Sequence, residues 1–306
     1  MIIKYTTMKT LLTCTLALLL YMNAEAQTAP NYPFDRVMPA PARVIAMFKD
    51  DGMKPSVHEL TAADKEKIEQ AFAILPPLHQ RILKKHLHSI TFLDSMPNTA
   101  LTSDVDTAKS LRTFNIIFRA GILKESISEF ATWKENTGFD PSGNLGFSVE
   151  VNAGVYNAFQ YVLLHEATHI VDKVLDLTPS VHDPKASFKH TKSTMGIWQH
   201  HTTVAKQFIL PTLEKSRFRS GNLLPIGLTP QLYSDLNKTP FPSLYATSNW
   251  HDDIAELLAI YHVTKKLKQP YLVVVKQNGR KVKIYEPMKN KLVKKRLKQM
   301  DIFYNS

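Results

Sequence analysis

His165-Glu166-Ala167-Thr168-His169 is the stretch of this 306-residue chain whose residue types and spacing specify a chemistry. Positions i and i+4 of a helix share a face, so both imidazoles can reach one metal ion, zinc above all. Glu166 then faces a water beside the metal as general base. Val162, Leu163 and Leu164 before the pentad, and Ile170 and Val171 after it, are what a helix buried on most sides requires. The only carboxylate inside the pentad is the one that would move the proton.

A catalytic zinc takes three protein ligands and keeps one position open. A third histidine six residues beyond His169 is excluded, because that position is Leu175 and the nearest carboxylate, Asp176, is one residue out of register. The other common arrangement is a carboxylate on a later helix, with a second acid one turn on to hold a liganding imidazole. Asp252 and Glu256, on one face of the largely apolar stretch 250–259, supply that pair. Acids opening a helix also have an ordinary cause, the positive N-terminal end. Glu256 lies deeper, between Ala255 and Leu257, where an unpaired charge is costly.

These two stretches resemble the gluzincin metallopeptidases, and more narrowly the lethal-factor-like peptidases. That family shows His-Glu-x-x-His-x-x-Asp and later a Tyr followed by acid-x-x-x-Glu. Here the match is His165 to Asp172, then Tyr245 and Asp252-Asp253-Ile254-Ala255-Glu256. The resemblance implies His165, His169 and Asp252 as zinc ligands, Glu166 as general base, Glu256 as the neighbour of a ligand and Tyr245 as oxyanion donor. The family has Glu where this chain has Asp252, so Glu256 stands as the alternative direct ligand. Asp172 either orients a ligand histidine or caps its helix, and Tyr245 is either catalytic or a packed aromatic. The fold implied is α+β and zincin-like, with an active-site helix, a small sheet with an edge strand, and a second ligand-bearing helix.

The elements that must position these residues are legible from pattern. Thr61 with Asp64 predicts a capped helix to Leu75, and a second helix runs from Pro77 to His88 before an extended stretch at Ser89–Leu93. His79, His86 and His88 read as surface residues, with approach to a site in the folded protein as the alternative for His86 or His88. The segment 111–123 contains a strand by its β-branched and aromatic content, and residues 145–152 alternate as a half-buried strand. In zinc peptidases such a strand, just ahead of the zinc helix, pairs with the substrate backbone. Asn152 is expected to cap a zinc helix over 153–174. Residues 176–240 read as an insertion of helical pieces and loops carrying His182, His190 and the surface pair His200-His201. A helix over 252–266 and a hairpin over 271–285, turning at Asn278-Gly279, follow.

Residues 1–26 read as a cleaved signal peptide, with Lys4 and Lys9 before an apolar run and Ala24-Glu25-Ala26 before the cut. They contain the only cysteine, Cys14, so the mature chain offers no thiolate ligand, and a His/Asp/Glu donor set suits a catalytic site. The expectation is therefore a secreted or periplasmic protein with no transmembrane segment in the mature chain. Residues 27–88 read as a Pro-rich N-terminal segment with helices, and 89–306 as the metallopeptidase domain. The net charge of +11 concentrates in a C-terminal run, Lys289, Lys291, Lys294, Lys295, Arg296 and Lys298, which offers contact to an anionic surface. No aromatic-interleaved basic motif points to nucleic acid.

The function expected is zinc-dependent hydrolysis of a protein or peptide substrate. Its rivals are a catalytically inactive zincin-like binding protein using the basic surface, and a zinc hydrolase acting on a non-peptide amide.

Overall fold

A computed structural model describes residues 31–105, 111–143, 146–180 and 187–305. The signal-peptide reading, Cys14, His182 and Leu145 lie outside the described residues. Two compact units divide the chain at Val37/Met38. Of the first, residues 31–37 are described and hold a 3-10 turn, Phe34–Arg36.

The second unit, from Met38 onward, mixes helices and strands. In chain order they are α1 (Ala42–Asp50), β1 (Ser56–Val57), α2 (Ala62–Ala73), α3 (Pro77–His86), β2 (Leu87–Asp94), β3 (Ala100–Asp104), β4 (Phe114–Arg119), α4 (Ile127–Asn136), β5 (Phe139–Asp140) and β6 (Phe147–Asn152). There follow α5 (Ala158–Leu175), β7 (Trp198–His200), β8 (Thr203–Val204), α6 (Pro211–Glu214), α7 (Arg217–Ser220), β9 (Leu224–Pro225), α8 (Thr229–Leu236), α9 (Trp250–Tyr261), β10 (Leu272–Gln277), β11 (Arg280–Tyr285) and α10 (Lys291–Arg296). The N-terminal helices, read from the sequence as a separate segment, belong from Met38 to the same unit as the zinc-motif helix. Both α2 and α3 pack directly on α5.

The larger sheet has the order β1-β2-β4-β3, with β2 and β4 parallel at its centre. Those two strands are buried along most of their length, through Ile90, Phe92, Ile116, Ile117 and Phe118, as central parallel strands covered on both faces must be. One face carries α1, whose Val44 and Phe48 cluster with Leu93 and Ile117. On the other, Phe159 of α5 meets Phe92 and Phe118 at ring-centroid distances of 5.5 and 4.9 Å. That aromatic triad seats the first turn of the motif helix on the sheet.

A second sheet, β11-β10-β6, is antiparallel throughout. Its hairpin turns at Asn278 and Gly279, both at positive φ (51° and 77°), the conformation the Asn-Gly pair predicts. The Thr61/Asp64 capping box is present. The α5 helix starts later than expected, capped by Asn157 rather than Asn152, because β6 runs on through Asn152. The predicted 252–266 helix ends as α at Tyr261 and continues as a π turn, His262–Lys266. No described helix is long and apolar enough to cross a membrane.

Two sequence readings are corrected by burial. Arg296, placed in the basic C-terminal run, is buried and clamps Asp253 of α9 through both guanidinium nitrogens, at 2.8 and 2.9 Å. A charge this deep persists only when paired. His79 and His86 are interior residues, not surface ones, because the α3 face that carries them lies against α5 and the sheet. Thr168 Oγ1 donates to Leu164 O, so it must accept from His79 Nε2 at 3.1 Å, which fixes His79 as the neutral Nε2–H tautomer.

Burial, reinforced by the charge of His262, lowers the pKa of His79 to about 3. Burial and Lys266 lower that of His262 to about 4. The unfolded chain therefore takes up protons first on acidification. Stability contributed by the two neutral imidazoles is full above pH 6.5 and is lost as pH falls towards 3 to 4, at about 1.4 kcal/mol per pH unit for each. Urea midpoints measured between pH 7 and pH 4.5 should fall steeply for the wild type and less steeply for His79→Gln. Equal slopes would remove His79 as a cause.

Candidate metal centre and cleft

The two motif stretches meet where α5 packs on α9. His165 Nε2 and His169 Nε2 lie 3.2 Å apart, and Asp252 Oδ1 lies 3.5 Å from each. All three residues are buried or nearly so, and among the described residues they form the group able to hold a metal ion. Asn249 does two things for this corner. Its Oδ1 caps α9 by accepting from the His251 and Asp252 backbone N–H groups. Its Nδ2 donates to Asp252 Oδ2 at 2.6 Å, which turns Oδ1 towards the histidines.

Glu256 approaches the other side of the His165 ring, with Oε1 3.1 Å from Nδ1, a contact too oblique for a well-aligned hydrogen bond. It also accepts from Lys134 Nζ at 3.2 Å, Tyr161 OH at 2.9 Å and Ser243 Oγ at 2.6 Å. The two acids are thus separated in position: Asp252 faces the Nε2 atoms of both histidines and Glu256 faces the back of one imidazole.

Burial alone would raise the pKa of Glu256, but Lys134 first, then His165 and Ser243, hold it down at about 2. Burial would likewise lower that of His165, yet Asp252 and Glu256 lift it to about 9. Asp252 is held well below the ordinary carboxylate range: the two histidines overcome the desolvation that opposes its charge.

Glu166 is held from the sheet side, where Thr102 Oγ1 on β3 donates to its Oε2 at 2.7 Å. The Tyr245 ring lies 5.7 Å from that of His165. Burial, then the charges of Asp252, Glu166 and Glu256, keep its hydroxyl protonated well beyond the usual phenol range. Asp172 sits behind the pair. It accepts from Thr178 N and Oγ1, both at 2.7 Å, and from His251 Nδ1 at 2.7 Å, so it ties the end of α5 to α9 rather than touching His165 or His169. His200 and His201 are half-buried, with His201 set at a steep angle against the rings of Trp250 and His251 and His200 edge-on to Phe188.

A cleft of about 590 Å³ opens in front of Glu166 and His165. It is lined by α5 through Tyr161, Val162, His165 and Glu166, by residues 97–101, by Trp133 and Lys134 of α4 with Thr137 just beyond that helix, and by Arg217, Phe218 and Tyr245.

The strand beside this cleft is β3, not the one expected. Arg119 N bonds Thr99 O and Val105 N bonds Thr113 O, so odd-numbered residues of β3 pair with β4. The N–H and C=O groups of Ala100 and Thr102 point to the open side and have no partner among the described residues. By contrast, β6 has its outer edge closed by α4: Val151 N donates to Thr132 Oγ1 and Asn136 Nδ2 donates to Val149 O, each at 2.9 Å.

No protein-family model, curated protein or solved structure matches the chain. Its function must be argued from this geometry. Sequence reasoning found His165, Glu166, His169, Asp252, Glu256 and Tyr245, which the fold brings to one corner, and missed Asn249, Lys134, Thr102, Tyr161 and Ser243. Asn249 carried a signal, an Asn three residues before an acid at a helix start. Tyr161 carried one too, since it stands one turn before His165 on α5; Lys134, Thr102 and Ser243 carried none, since each comes from another segment.

Asn249→Ala should cost about 1 kcal/mol through the lost cap and about tenfold in metal affinity through the freed Asp252 carboxylate. Chemical denaturation and chelator competition read the two effects separately. An unchanged metal affinity would show that Asn249 is a cap alone.

Proposed function

We propose that the protein is a zinc-dependent hydrolase of peptide bonds, a zincin-like metallopeptidase of the lethal-factor-like kind. The observation that carries the reading is the triangle of donor atoms. Three ligands at 2.0–2.1 Å around a tetrahedral ion stand about 3.3 Å from one another, and the edges here are 3.2, 3.5 and 3.5 Å. Two imidazoles and a carboxylate are the donor set of many catalytic zinc sites. Two buried carboxylates, Asp252 and Glu256, stand around His165 with one ammonium, Lys134, beside them, a balance that favours a divalent cation.

When bound there, zinc would polarise a scissile carbonyl and lower the pKa of a water towards neutrality. Glu166, steadied by Thr102, takes the proton from the attacking water and delivers it to the leaving amine. Tyr245, kept protonated by its surroundings, donates to the developing oxyanion. Glu256 orients His165 from behind. Extended polypeptide is the substrate class favoured by the exposed backbone groups of Ala100 and Thr102, which pair with a strand laid along the cleft.

Elemental mass spectrometry on the purified chain should find one zinc per protein, lost in His165→Ala and in Asp252→Ala. Glu166→Gln should keep the metal while hydrolysis of a peptide library falls by roughly 10²- to 10⁴-fold. A metal-free wild type under non-chelating conditions would sink this reading and favour a binding protein that retains only the helix pair. Hydrolysis at the wild-type rate by Glu166→Gln would remove the role given to that residue.

A further inference from the structure

Lys134 and Arg217 bring two full positive charges to the cleft, where the only carboxylate in the lining is Glu166. Arg217 is exposed at the start of α7, and its one recorded bond is from NH1 to Thr137 O, at 2.8 Å, the carbonyl of the residue that ends α4. No carboxylate partners it among the described residues. Lys134, on the last turn of α4, lines the same cleft.

Lys134 and Phe218, the neighbour of Arg217, both touch Tyr245. Lys134 Nζ stands 3.8 Å over the centroid of the Tyr245 ring, and Phe218, next to Arg217, meets that ring edge-on at 5.3 Å. Lys134 spends one of its three N–H donors on Glu256, whose oxygens are also satisfied by Tyr161 and Ser243. The ammonium therefore has donors left for a ligand, as does the guanidinium beyond its single bond to Thr137.

We propose that Lys134 and Arg217 form a carboxylate-binding subsite, so that the polypeptides taken into the cleft carry an acidic side chain, or their own C-terminal carboxylate, close to the scissile bond. This deepens the peptidase reading and rests on it. The chemistry is that of charge-assisted hydrogen bonds, which are roughly twice as strong as neutral ones. The net charge of +11 draws acidic peptides from a distance in the same sense. A basic side chain in this place would meet two like charges.

The test uses the zinc-loaded Glu166→Gln protein and short fluorescein-labelled peptides of alanine and leucine. They differ in a single Glu or Gln moved along the sequence, and in a C-terminal acid or amide. Anisotropy titrations should show carboxylate-bearing peptides binding about tenfold more tightly than their neutral partners, the scale of one added charge-assisted bond. Arg217→Gln should close that gap with zinc content unchanged, and Arg217→Lys should restore part of it. The Glu/Gln arm and the acid/amide arm separate a side-chain carboxylate from a terminal one.

Equal binding of charged and neutral peptides would overturn the subsite, even if the wild type hydrolyses both. Tight binding of acidic peptides that the zinc-loaded wild type never cleaves would keep the subsite and remove the peptidase reading. Failure to bind any of the peptides would overturn both.

Discussion

Three carboxylates enter the interior on one helix, and much of the second unit is arranged around giving each a partner. Asp252, Asp253 and Glu256 occupy the first two turns of α9 and are all buried. The positive end of the helix helps the first two, but desolvation on this scale demands direct hydrogen bonds and counter-charges. Asp252 takes His165, His169 and Asn249. Asp253 takes Arg296 from α10 and the Trp198 indole N–H, at 2.9 Å, from β7. Glu256 takes Lys134 from α4, Tyr161 and His165 from α5, and Ser243 from the loop before α9.

Segments from residue 134 to residue 296 therefore converge on two turns of helix. Removing a single partner would strand a buried charge, which costs far more than the net worth of any one pair. The same constraint gives the candidate site its rigidity. Asp252 is fixed by its own cap residue, while Asp253 anchors α9 to the C-terminal helix. The Asp252 carboxylate consequently has little freedom to wander from the histidines on α5. The sheet contributes through the Phe92, Phe118 and Phe159 contacts, which seat the first turn of α5, and through Thr102, which reaches the general-base position from the edge strand.

How far this was legible in the sequence depended on whether a function lay within one element or between several. The pentad and the Asp252/Glu256 pair are each intrahelical spacings, so periodicity alone placed them, and the Asn278-Gly279 hairpin and the Thr61 box are equally local. The cap of α5 was misplaced by five residues because Asn152 and Asn157 are both good cap residues, and only the pairing of β6 with β10 decides which strand residue is last. The choice of β6 as the substrate edge failed for a related reason. A strand looks open or closed only once its neighbours are known, and the groups that close β6, Thr132 and Asn136, sit on a helix whose sequence says nothing about where its side chains land. Arg296 looked like one more surface base in a basic run. Its depth follows from Asp253, 43 residues earlier.

Unpaired strand edges invite copies of the same chain, and the two larger sheets guard three of theirs by different means. At one end of the first sheet, β1 is only two residues long, too short to template a partner. At one end of the second, β6 is sealed by α4 side chains. The hairpin's outer strand β11 carries Arg280, Lys281 and Lys283, so two copies brought edge to edge would repel. That leaves β3, which packs on α5 and borders, at Ala100 and Leu101, the cleft that Trp133, Phe218 and Tyr245 also line. On the proposed reading, that one edge would offer strand-pairing groups to an extended guest while the other three ends resist pairing between copies of the chain.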